Sequence, residues 1–290
     1  MTRVGVNGIF LNVEVAEGLP IAAAERPAAG TSVHPLVLLH GFTGSAKTWR
    51  PHLKAFARRG RVMAVDLLGH GQSDAPADAA RYSMTWAVND LVFLLDREGF
   101  ESVDLLGYSM GGRLALHLAL SAPRRIRALI LESASPGVAD PAERAARRAS
   151  DDHLATVIER EGVEAFVTRW EAQPLFESQL RLPEQVRAGL RAQRLRNRPH
   201  GLANSLRGMG AGAQEPLWDR LPQLKAPTLL VAGELDPKYC RIAKAMGSRM
   251  PQARVAIVPG AGHAVHLEQP HVFERLVLAF LEELDRRRRA

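Results

Sequence analysis

Three residues in this chain have the types and positions to do acid–base or nucleophilic chemistry together: Ser109, Asp236 and His263. Ser109 sits in Gly107-Tyr108-Ser109-Met110-Gly111, directly after the apolar run from Val103 to Leu106 and at the start of a helix-like segment that ends near Ser121. A serine at a tight strand-to-helix turn has its hydroxyl lifted off the backbone, and the helix N-terminus behind it offers free amides to an anion. The flanking glycines, lacking Cβ, let strand and helix pack closely around the strained turn. Asp236 follows the apolar run from Thr228 to Ala232, and His263 follows the run from Arg254 to Val258. In such a set the imidazole takes the serine proton and the carboxylate fixes the imidazole tautomer. Glu132 also ends an apolar run and is the second candidate for the acid. His266 is less well placed and reads as structural. Asp236 before Pro237 also suits a helix cap, and His263 in Gly260-Ala261-Gly262-His263 also suits a plain loop.

For these residues to meet, the runs before them must be neighbouring strands. Short apolar runs at 35–39, 62–65, 103–106, 126–131, 228–232 and 254–258 alternate with helical patterns at 49–58, 84–97, 110–121, 241–250 and 272–286. Strands apolar throughout, alternating with helices, predict a parallel sheet covered on both faces, where ligands collect beyond the carboxyl ends of the strands. At the start of the chain, alternation on either side of Asn7-Gly8 predicts a hairpin with a primed turn. Residues 22–32 read as a loop. From Gly137 to about Glu215 no strand pattern occurs, only helical stretches such as 143–158 and 163–170, broken at Pro174, Pro183 and Pro199. The expected organisation is a core of residues 1–136 and 216–290 with a helical cap, 137–215, inserted in it.

Composition narrows the function classes. The 290 residues are 46% hydrophobic and 24% charged, as in an ordinary globular protein. No apolar stretch reaches the roughly 18 residues of a membrane span, and the N-terminus carries no signal pattern, so a cytoplasmic protein is expected. The single cysteine, Cys240, cannot form an internal disulfide. The net charge of +7 raises nucleic-acid binding, but its distribution argues against it. Arg286 to Arg289 form one terminal run, which suits a helix C-terminus. Between Gly137 and Glu215 twelve arginines face eleven acidic residues. No zinc pattern, phosphate loop or dinucleotide fingerprint occurs, so no metal or cofactor is expected. Oligomeric state is not readable.

Leu39-His40-Gly41-Phe42, Val65-Asp66-Leu67-Leu68-Gly69-His70-Gly71, Gly107-Tyr108-Ser109-Met110-Gly111-Gly112-Arg113 and Ala261-Gly262-His263, with the chain order Ser, Asp, His, resemble the α/β-hydrolase superfamily along nearly the whole chain. The resemblance implies an α/β-hydrolase fold, a mostly parallel central sheet covered by helices on both faces, with an inserted helical cap. It also implies an oxyanion hole made by the amides of Phe42 and Met110, while His70, on another strand-end loop, reads as structural. Within the superfamily the chain resembles the 2-succinyl-6-hydroxy-2,4-cyclohexadiene-1-carboxylate synthase family of menaquinone (vitamin K2) biosynthesis. That resemblance rests on Arg113, Arg144-Ala145-Ala146-Arg147 with Ser150-Asp151, Trp170 before Gln173-Pro174-Leu175-Phe176, and Arg194 near Gly201-Leu202-Ala203-Asn204-Ser205-Leu206. It implies a cofactor-independent lyase that eliminates pyruvate, with Ser109 as general base. The implied substrate is a small tricarboxylate held by Arg113, Arg147 and Arg194, with Tyr108 and Trp170 shaping the pocket. Arg196 is the rival to Arg194. A hydrolase of esters or carbon–carbon bonds using the same three residues is the alternative, and a non-catalytic receptor on the same fold is a third reading.

Overall fold

The computed structural model describes residues 2–18 and 34–289; the loop expected at 22–32 lies outside them. In chain order the elements are β1 (Thr2–Val6), β2 (Ile9–Ala16), β3 (Leu36–Leu39), α1 (Arg50–Phe56), β4 (Val62–Val65), α2 (Met84–Arg97), β5 (Val103–Tyr108), α3 (Met110–Ser121), β6 (Ile126–Glu132), α4 (Pro141–Glu171), α5 (Glu184–Leu195), α6 (Pro199–Met209), β7 (Thr228–Gly233), α7 (Pro237–Gly247), β8 (Ala253–Val258), α8 (Val265–Glu268) and α9 (Pro270–Arg289). The strands form one sheet in the order β1-β2-β4-β3-β5-β6-β7-β8. The β1–β2 and β2–β4 pairs are antiparallel, and every other pair is parallel. The hairpin turns on Asn7 and Gly8, both at positive φ (43° and 80°), as a primed turn requires.

Successive side chains of a strand point to opposite faces, and both faces are covered here. Val37 and Leu39 join one core with residues of α2, α3 and α7, whereas Leu36 and Leu38 join another with α1 and α9. Central strands β3, β4 and β7 are buried at every position, which explains their unbroken apolar runs. Edge strand β8 departs from that expectation. Its pattern is half exposed, because only one neighbour covers it.

Between β6 and β7 the chain is helical. α4 is interrupted at Gly162 (φ 81°, ψ 172°), so the two patterns read at 143–158 and 163–170 lie on either side of a kink that glycine permits. A third core, with Ile158, Phe166, Val167, Leu202 and Leu206, joins α4 to α6. Pro183 caps α5, Pro199 opens α6, and Pro174 opens a 3₁₀ stretch running to Arg181. α7 begins at Pro237, four residues before the expected start, because the Asp236 side chain caps it by accepting the Tyr239 amide at 3.1 Å.

Many of the arginines are matched within the fold. At the end of the sheet opposite Ser109, Asp104 accepts from Arg59 (2.8 Å) and Arg127 (2.5 Å), and both arginines also reach Asp285 on α9. Among the described residues no helix is long and apolar enough to cross a membrane.

Candidate active site

Ser109 occupies the turn between β5 and α3 with φ 51° and ψ −109°, a conformation that non-glycine residues rarely adopt. What holds it there is close backbone packing. A Cβ on Gly107 would lie 2.4 Å from the Gly111 carbonyl oxygen, and one on Gly111 would lie 2.5 Å from the carbonyl oxygens of Leu39 and His40. The end of β3 is thereby pressed against the first turn of α3, and the Ser109 amide donates to the Glu132 carbonyl at 2.8 Å.

The three residues singled out from the sequence are brought together. His263 Nε2 lies 3.1 Å from Ser109 Oγ, and His263 Nδ1 lies 2.7 Å from Asp236 Oδ2. A carboxylate can only accept from Nδ1, which leaves Nε2 free to take the serine proton. Asp236 does two things: one oxygen caps α7 and the other orients the imidazole. β7 and the histidine loop approach closely at Gly233, where a Cβ would lie 2.1 Å from the Gly262 oxygen. Glu132 is not the acid of this set. It is fully buried and bound to His266 instead.

The loop after β3 is fixed by His40. Its Nε2 accepts the Leu67 amide at 3.0 Å, so the ring is neutral and Nδ1 donates to the Gly41 carbonyl at 2.7 Å. Burial pushes the His40 pKa down to about 4, partly offset by the bond to Gly41. His70 is buried against His40 and Phe42, with ring centroids 5.1 and 5.7 Å away, a packing role. The amide of Phe42 is left without a partner among the described residues. Met110 supplies the first amide of α3, where the N–H groups have no acceptor inside the helix.

Above Ser109 lies a cavity of about 480 Å³ lined by Tyr108, Arg113, Arg147, Trp170 and Arg194, all expected, and by His263. Arg113, one turn along α3, is largely enclosed. Burial holds its pKa down to about 10, and its Nη1 donates to Gln214 Oε1 at 2.9 Å. Among the described residues it forms no ion pair with a carboxylate. Arg147 pairs with Asp151 (2.8 Å), and Arg194 pairs with Glu171 (2.9 Å) while its guanidinium sits 5.5 Å from the Phe176 ring centroid. Arg196 is exposed and lies outside the lining, whereas Arg194 is part of it. Trp170 forms an aromatic wall with Phe42, Phe166 and Phe176, at 5.4 to 5.5 Å between centroids. The Tyr108 ring packs 5.5 Å from His263 and 4.6 Å from His266.

Several lining groups escape a reading of the sequence. Tyr239 packs its ring 4.6 Å from His263, and burial raises its pKa. Its place three residues after Asp236, in the first turn of a capped helix, was the available signal. Asp151 meets Arg147 one turn along the same helix, whereas Glu171 and Gln214 come to Arg194 and Arg113 through tertiary packing that no local pattern encodes. Among the described residues no group of three or more His, Cys, Asp or Glu is arranged to hold a metal ion.

Comparison with known proteins identifies the family. The family described as alpha/beta hydrolase fold matches residues 34–270. A Bacillus subtilis (strain 168) protein named putative 2-succinyl-6-hydroxy-2,4-cyclohexadiene-1-carboxylate synthase is 46% identical over 94% of this chain and 99% of its own length. The synthase of that name from Serratia proteamaculans (strain 568) is 32% identical over 85% of this chain and 92% of its own. Among solved structures, MenH from S. aureus superposes with a TM-score of 0.87 at 37% identity, covering 94% of this chain and 98% of that one.

Proposed function

From the premise that the chain belongs to the α/β-hydrolase fold family and, within it, to the 2-succinyl-6-hydroxy-2,4-cyclohexadiene-1-carboxylate synthases, we propose that it is a lyase of menaquinone biosynthesis. It eliminates pyruvate from 2-succinyl-5-enolpyruvyl-6-hydroxy-3-cyclohexene-1-carboxylate. The observation that carries this reading is the pairing of Ser109, His263 and Asp236 with a cavity walled by arginines, one of them, Arg113, half-buried and with no carboxylate bound to it among the described residues. A pocket for a neutral lipid ester would be apolar. A half-buried guanidinium with no carboxylate bound to it instead favours an anion, and its planar fork holds a carboxylate through two parallel hydrogen bonds.

In the reaction Ser109 Oγ takes the proton α to the succinyl ketone as its own proton passes to His263 Nε2, and Asp236 stabilises the imidazolium that results. The electron pair left on carbon delocalises onto the ketone oxygen, which the Phe42 and Met110 amides hold as an enolate. Its return opens the bond from the ring to the enolpyruvyl oxygen, and the expelled enolate becomes pyruvate by taking on carbon the proton that the His263 imidazolium gives back, which restores the neutral ring. Positioned proton transfer of this kind contributes typically 10²- to 10⁴-fold. Arg113, Arg147 and Arg194 hold the three carboxylates, with Arg147 and Arg194 reaching the pocket from a helical cap formed by residues 137–215. Tyr108 and Trp170 shape the space between them. Release of one pyruvate per substrate consumed is the expected outcome; substrate that decays no faster with purified protein than in buffer would exclude the assignment.

A second reading, hydrolysis through an acylated Ser109, draws on the same 3.1 Å contact to His263. Fast turnover of simple aryl esters together with slow pyruvate release would favour it.

A further inference from the structure

We propose that Gln214 is a positioning residue that holds Arg113 in the cavity through a neutral acceptor, keeping the guanidinium charge available to a substrate carboxylate. The proposal rests on the reading of the cavity as a polyanion site. Three arginines line that cavity, and their internal partners differ in kind. Arg147 and Arg194 each lean on a carboxylate, Asp151 and Glu171. Arg113, the one on the same helix as the elbow, has the amide oxygen of Gln214 at 2.9 Å. A glutamate of the same shape would pair with Arg113 in the free protein, and an incoming carboxylate would then have to displace it. With the amide, orientation is fixed and charge is left over.

The location strengthens the case. Gln214 is 1% exposed and lies on the return from α6 to β7. The outgoing connection from β6 touches it there. Gly137, at φ +102°, approaches so closely that a Cβ would lie 3.3 Å from Gln214 Nε2 and 3.1 Å from Pro216 Cα. The two connections are tied together by the Leu217 amide on the Pro136 carbonyl (2.7 Å) and the Trp218 indole on the Gly137 carbonyl (3.0 Å). Gln214 therefore anchors the core arginine at the point where the β6–β7 segment leaves and rejoins the sheet. Its Nε2 is buried without a partner among the described residues, so the amide is retained at a cost that only its oxygen repays.

The test compares Gln214→Glu with Gln214→Met, reading kcat and KM by pyruvate release and citrate affinity by tryptophan fluorescence. Gln214→Glu is expected to raise KM and weaken citrate binding at least tenfold, with kcat within threefold of the parent and no loss of Tm. Gln214→Met, which removes the acceptor without adding charge, is expected to cost about threefold in both. In an Arg113→Ala background the Gln214→Glu change should add less than twofold, since its effect runs through that guanidinium. Effects of Gln214→Glu within twofold of the parent, or a larger loss for Gln214→Met than for Gln214→Glu, would overturn the proposal. Should Gln214→Glu not fold, the citrate affinity of Gln214→Met decides alone: a threefold loss supports it and an unchanged value overturns it. Citrate binding needs no turnover. A chain that releases no pyruvate yet loses citrate affinity as described would fail the synthase reading and keep this one.

Discussion

The carboxylate of Glu132 accepts two hydrogen bonds from His266, one from its backbone amide at 3.0 Å and one from its ring Nδ1 at 2.9 Å. Both residues are almost entirely buried. The same Glu132 accepts the Ser109 amide through its carbonyl, so one residue at the end of β6 ties the serine turn to the loop that carries His263. Replacing Glu132 with alanine leaves the amide and ring donors of His266 unsatisfied in the core. A loss of about 2 to 6 kcal/mol in urea unfolding is expected from leaving these two buried donors unpaired. Because the His263 loop loses its tether, kcat/KM should fall at least about tenfold in the fraction that remains folded. A stability loss under ~1 kcal/mol would mean the contact contributes little.

Ser109→Ala removes the group placed between His263 Nε2 and the cavity. The alanine fits the same turn, and binding by the arginines is untouched, so the effect should fall on kcat and not on KM. At least ~10²-fold is expected for loss of a general base, measured as initial rates of pyruvate release. A rate close to that of the parent would show that another group takes the proton.

Stability should fall as the pH drops below neutral. Burial holds His40 and His117 down to about 4 and His70 down to about 3, whereas each titrates near 6.5 in the unfolded chain. Between pH 6.5 and 4 the unfolded state therefore binds more protons than the folded one, and every such histidine removes roughly 1.4 kcal/mol of stability per pH unit as the pH is lowered. For His40 the cause is concrete. A protonated ring could no longer accept the Leu67 amide. Urea midpoints should hold from pH 7.5 to about 6.5 and decline from there to pH 5, and His117→Gln should flatten that decline. Identical slopes for parent and variant would remove His117 from the account.

The core and the three residues that meet at the serine turn were legible because both depend on patterns that short segments carry alone. Unbroken apolar runs follow from strands buried on both faces, and Ser109 and Asp236 each follow such a strand, whereas His263 follows the half-exposed edge strand β8. The partners of Arg113 and Arg194 were not legible, because they depend on how the chain packs across the cavity. Glu171 meets Arg194 only where the end of α4 comes against α5, and Gln214 meets Arg113 across 101 positions of sequence. Asp236 illustrates both situations. Its cap of α7 is a local signal, and its bond to His263 is a tertiary one, and the residue makes both contacts. The choice between Arg194 and Arg196 could not be made from spacing, because two residues on a helix turn a side chain by roughly 200°.

That angle gives the last test. Arg194 lies in the final turn of α5 with its guanidinium near Phe176 and the cavity, whereas Arg196 follows the helix end and is exposed. Arg194→Ala should lower kcat/KM for pyruvate release about 10- to 30-fold, equivalent to roughly 1.4 to 2 kcal/mol. Arg196→Ala should change it less than about twofold, as expected of an exposed side chain away from the site. Arg113→Ala should cost more than either, about 2 to 4 kcal/mol, because the substrate carboxylate would be left unpaired in an enclosed site. The order follows from the internal partners. A substrate carboxylate reaching Arg194 competes with Glu171 and gains only the difference, whereas at Arg113 it meets a guanidinium bound to a neutral amide. Equal losses for Arg194→Ala and Arg113→Ala would show that Glu171 does not compete, and a larger loss for Arg196→Ala than for Arg194→Ala would reverse the assignment of the two residues.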